Sequence, residues 1–83
     1  MKTSGQLSDM KRGEVAQIVA ITNKDAMRRR LQEVGFRRGT SVTCLTASPL
    51  GDPIAYELLG SVIALRREDA SQIRIQTEDE SWA

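Results

Sequence analysis

The chain has 83 residues, 40% of them hydrophobic, with one cysteine and no histidine. That length supports a single small core, one cysteine excludes an internal disulfide framework, and no apolar run approaches the roughly 20 residues that span a bilayer. The net charge of +1 hides an asymmetry: residues 77–83 hold three acids and no base, which leaves twelve bases against eight acids in residues 1–76.

Residues 1–6 (MKTSGQ) show no apolar periodicity and read as a flexible lead. Leu7 and Met10 flank a polar turn ahead of Gly13, an arrangement that lays two apolar side chains over one end of a core. The stretch 14–22 (EVAQIVAIT) is rich in β-branched residues and reads as a strand, with Ala16, Ile18 and Ala20 on one side and Val15, Val19 and Ile21 on the other. Asn23 and Asp25 are both candidate caps for the helix that follows.

Met27, Leu31 and Val34 recur at i, i+4 and i+7, which places them on one helix face. Gly35 then supplies a left-handed stop, and Phe36 beyond it is positioned to touch Leu31 in a Schellman ending. The opposite face carries Arg28, Arg29, Arg30, Gln32 and Glu33, and Arg37 and Arg38 follow the stop. Residues 24–38 hold six bases and two acids, so the positive excess of residues 1–76 is concentrated in the helix and its exit. Such a face attracts phosphates, anionic lipid or acidic protein surfaces. For any one arginine, a solvated helix face is the plainer reading.

A second strand is predicted over 40–48, a turn over 49–53 where two prolines bracket Gly and Asp, and a third strand over 54–59. Gly60-Ser61 reads as a type II′ hairpin connection into a fourth strand ending at Arg66. Residues 67–71 read as one helical turn, 72–76 as a short last strand, and 77–83 as a flexible acidic tail. Short strands interrupted by one real helix predict a mainly β protein with one or two short helices, a small antiparallel barrel occupying residues 7–76.

Reaction chemistry is thinly represented. Without histidine the usual general base and the commonest metal ligand are missing. Cys44 lies mid-strand among apolar neighbours and reads as an inert buried thiol. Glu68 and Asp69 with water could hold a divalent cation weakly at the surface, but solvated acids at a helix start are the plainer reading. No P-loop or GxGxxG is found. The expectation is a non-enzyme with no required cofactor, no assigned metal ligands and a cytoplasmic location. The N-terminal MKTSGQLSDM lacks the apolar region of a signal peptide.

Three blocks read together carry a resemblance: RRRLQEVGFRRGTSV at 28–42, ASPLGDPIAYELLG at 47–60 and SVIALRREDASQIRI at 61–75. In this order and spacing they resemble the FeoA family of ferrous-iron-uptake accessory proteins, over about residues 7–75. The resemblance implies an SH3-like β-barrel that contacts the membrane transporter FeoB, at its cytoplasmic G-protein region or its membrane-facing side, and is recruited to the inner membrane by that partner. Arg38 departs from the family pattern, which usually has proline before the glycine.

On this reading the expected partner surface comprises Arg28, Arg29, Leu31, Phe36 and Arg37 around the helix exit, joined by Leu50, Gly51 and Asp52 from the turn. Leu50 stands out as an apolar residue at a turn tip. The alternative is a small barrel that binds nucleic acid through the arginine helix, against which stands the scarcity of aromatics for base stacking. Self-association through a barrel edge or hairpin is compatible with either reading.

Overall fold

In the computed structural model, residues 2–47 and 51–78 are described. Six strands form one antiparallel sheet: β1 (Lys2–Gln6), β2 (Val15–Ile21), β3 (Ser41–Ala47), β4 (Ile54–Leu58), β5 (Ser61–Leu65) and β6 (Ile73–Glu78). Their order across the sheet is β1-β6-β2-β3-β4-β5. A 3₁₀ turn covers Leu7–Asp9, helix α1 spans Asp25–Val34 between β2 and β3, and the single turn α2 (Arg67–Ala70) links β5 to β6. The fold is mainly β, as the strand pattern implied.

The lead-in departs from expectation. Lys2–Gln6 is a strand paired along β6, from Lys2 opposite Glu78 to Gln6 opposite Arg74. The segment KTSGQ has no large apolar residue to advertise a strand, so its pairing rests on the backbone ladder. Without it β6 would be an exposed edge. The same pairing carries β6 through Thr77 and Glu78, which the sequence placed in the tail.

Two bulges reset the side-chain alternation. Val19 is the extra residue where β2 pairs with β6: Ile18 faces Ile75, yet Ala20 faces Arg74 and Ile21 faces Ile73. Ile21 therefore turns to the core side, where it packs against the buried cluster, and Ala20 shares a face with exposed Arg74. The expected Ala16, Ile18, Ala20 stripe holds for its first two members only, because one inserted residue flips everything after it. A second shift lies between Cys44 and Thr46 in β3.

The core is aliphatic around two aromatics, Phe36 and Tyr56, both fully buried. Leu7 joins them, and its carbonyl accepts the Tyr56 hydroxyl at 3.2 Å, so the lead-in does cover the core as its spacing suggested. Asn23 caps nothing. It is buried, and its amide donates to the Asp69 carbonyl at 3.1 Å, tying the start of α1 to α2. Lys24 occupies the N-cap of α1 without a side-chain bond, and Asp25 lies inside the first turn.

Burial, with smaller contributions from Cys44 and Asp9, pushes the Tyr56 phenol well above its ordinary 10.0 against the opposing pull of Arg67. The folded state thus keeps a proton that the unfolded tyrosine releases near pH 10, so this share of stability is intact below that pH and is lost above it, at about 1.4 kcal/mol per unit. Tyr56→Phe is expected to cost about 0.5–1.5 kcal/mol at neutral pH, by deleting one bond to a Leu7 carbonyl that still accepts the Met10 N–H, and to remove the tyrosine's share of the alkaline loss. Urea titrations from about pH 8 to about pH 11 check both.

Candidate functional site

The exit of α1 is built by its cap. Gly35 takes φ +117°. Its N–H donates to the Gln32 carbonyl at 3.2 Å, and the Phe36 N–H donates to the Leu31 carbonyl at 2.9 Å. These are the two bonds of a Schellman ending, and they turn Phe36 into the core beside Leu31. Arg37 folds back so that Nε donates to the Gln32 carbonyl at 3.2 Å, placing a cation at the negative end of the helix. The Gly39 N–H then donates to the Ile18 carbonyl at 2.7 Å, and the Ile18 N–H to the Thr40 carbonyl at 2.9 Å, which pins the loop 37–40 beside β2.

The expected contact residues separate. Arg28, Arg29 and Arg37 are exposed at the helix and its exit. Arg28 Nη2 pairs with Asp25 Oδ1 at 2.9 Å, an exposed contact that stabilises the helix little. Leu31 is 2% exposed and Phe36 0%, so both belong to the core and offer no surface. Gly51 and Asp52 sit elsewhere: the Gly51 carbonyl accepts Arg67 Nε at 3.0 Å, and Asp52 Oδ1 accepts the Arg67 N–H at 2.8 Å. Arg67 Nη1 continues to the Ser8 carbonyl at 3.2 Å, so this corner clamps α2 to the lead-in. It adjoins the start of β4, whose other end, Leu58, lies with the following Leu59 against Gly35 at the helix end. Leu50 lies outside the described residues.

Two surface features escaped the sequence. The first is a cleft of about 650 Å³ lined by Ala20 and Ile21 of β2, Arg28 and Gln32 of α1, and Arg37 and Arg38 of the loop. The second is an apolar step at the β4–β5 turn. The register pairs Leu58 with Ser61, so the turn residues are Leu59 and Gly60, at φ +52° and +82°. Positive φ at both makes this a type I′ turn, not the II′ turn at Gly60-Ser61 that the glycine suggested. Leu59 is 74% exposed and lies across Gly35, next to Val34, which is 43% exposed. Helical periodicity put Val34 on the core face, but it does not say how far the sheet extends beneath the last turn. The doublet Leu58-Leu59 before Gly60 was the available signal.

Burial and, to a lesser extent, Glu14 raise the Cys44 thiol above its ordinary 9.0, which keeps it protonated and unreactive. No group of three or more His, Cys, Asp or Glu side chains comes together among the described residues. No helix among them is long and apolar enough to cross a membrane. What the fold defines is a small, mainly β domain built on one six-stranded antiparallel sheet.

The FeoA domain family matches residues 5–77, and the chain belongs to that family. A Porphyromonas gingivalis protein described as an Fe(2+) transport protein A/Fe(2+) transporter FeoB fusion is 35% identical over 71 residues. The match covers 86% of this chain and 8% of that protein's length. The FeoA protein of Chlorobium tepidum superposes with a TM-score of 0.86 at 35% identity, over 92% of this chain and 74% of that one. Stenotrophomonas maltophilia FeoA, an SH3-domain protein solved with zinc, gives 0.77 at 26% identity, over 88% of this chain and 95% of that one.

Proposed function

We propose that this chain is a cytoplasmic accessory module of ferrous iron uptake that acts by contacting the transporter FeoB and needs no cofactor of its own. The observation that carries this reading is the relative in which a homologous stretch and FeoB share one polypeptide. Covalent linkage raises the effective concentration of two modules for each other, which benefits partners that otherwise meet by diffusion.

The contact residues that fit this role best are Leu59 and Val34, with exposed Arg29 on the same helix. A leucine in the left-handed region costs about 1 kcal/mol where asparagine or glycine would cost little. A partner that buries this exposed leucine would offset that cost, with the helix arginines steering the encounter. The nucleic-acid alternative loses support: Phe36 and Tyr56 are both buried, leaving no aromatic side chain among the described residues available for base stacking.

Leu59→Asn separates binding from folding, because Asn-Gly is the favoured pair for a type I′ turn. The variant is expected to keep or raise the melting temperature while weakening binding to detergent-solubilised FeoB by roughly tenfold. Calorimetric titration and thermal melts measure the two effects, and unchanged affinity sinks the Leu59 surface.

A further inference from the structure

We propose that the cleft between β2, α1 and the loop after Gly35 binds a phosphate group, presented by a soluble phosphate compound or by a lipid headgroup. Three guanidinium-bearing side chains, Arg28, Arg37 and Arg38, line one concavity together with the Gln32 amide. They come from two segments separated by the Gly35 stop, so the concentration of charge is a product of folding, not of a single helix face. No acid is among the lining residues. The nearest acidic claim is Asp25, itself 88% exposed at its side chain, which engages one nitrogen of Arg28.

Pre-organisation favours binding. Arg37 is held by its Nε bond to the Gln32 carbonyl, so part of the side-chain entropy that a ligand must otherwise overcome is already lost there, whereas Arg28 has only its weak exposed contact with Asp25. Each retains further N–H donors on the same guanidinium. The donor count selects the anion. A carboxylate has two oxygens and is satisfied by one arginine fork, whereas a phosphate offers three or four acceptor oxygens that several forks can share. Ala20 and Ile21 supply an apolar wall, which lowers the local dielectric and strengthens these charge-assisted bonds.

The test uses the full chain, with pyrophosphate as the soluble probe and phosphatidylglycerol-containing vesicles as the headgroup probe. Amide chemical shifts of Ala20, Gln32 and Arg38 are expected to move saturably with pyrophosphate, or the protein to co-float with the vesicles. Arg38→Gln and the double variant Arg37→Gln/Arg38→Gln should weaken whichever interaction is seen by roughly tenfold. Arg30→Gln, on the same helix but not lining the cleft, should change it by less than about twofold. Thermal melts verify that each variant stays folded. Pyrophosphate alone identifies a soluble source, and vesicles alone identify a headgroup. Equal losses in Arg30→Gln and Arg38→Gln, stronger binding to a tetraglutamate peptide than to pyrophosphate, or no response to either phosphate probe would overturn the proposal. None of these outcomes depends on contact with FeoB.

Discussion

Phe36→Ala is expected to destabilise the protein by about 3–5 kcal/mol, the largest loss from any single truncation near the site. The ring is fully buried, and it is drawn into the core by the same N–H bond to the Leu31 carbonyl that closes α1. Truncation removes the transfer free energy of the ring and leaves a cavity where the cap meets the sheet. A domain of this length has a total stability of roughly 4–12 kcal/mol, so the variant should be partly unfolded at physiological temperature. Chemical denaturation monitored by circular dichroism measures the shift, and a loss below about 1.5 kcal/mol would mean that the helix end repacks freely.

Gly35→Ala should cost about 2–4 kcal/mol, seen as a fall of about 10–20 °C in melting temperature. Two causes add. The backbone at φ +117° strains any residue with a Cβ, and an added methyl would come within 2.6 Å of Leu59 Cδ1 and 2.8 Å of Leu58 Cδ2. Leu59 is exposed and can swing away, but Leu58 is 1% exposed and cannot. Combining the change with Leu59→Ala should therefore restore only part of the loss. Full restoration would show that the contact with Leu59 was the whole penalty and that backbone strain was negligible.

Legibility in the sequence followed the range of the interaction. The helix, its Gly35 stop and the contact between Leu31 and Phe36 were readable because capping is decided within six residues. The strands β2 to β6 were readable from β-branched runs bounded by Gly and Pro, and the inert Cys44 from its apolar neighbours. The polar strand β1 was not, since its pairing with β6 joins residues more than 60 positions apart and involves backbone groups that every residue carries. The turn at Leu59-Gly60 was misplaced by one residue because its type is set by the strand register.

Thus the chain alone determined a small mainly β domain with a positively charged helix exit and no histidine chemistry, all properties of local pattern and composition. Tertiary structure decided which of those charges share a cleft and which apolar residues remain in water. Arg38 meets Arg28 only because the loop is pinned to β2, and Ala20 joins them only because the bulge at Val19 reverses the face of the strand. A one-residue insertion is invisible to composition, yet it redirects every side chain beyond it, and so the surface had to be read from the folded molecule.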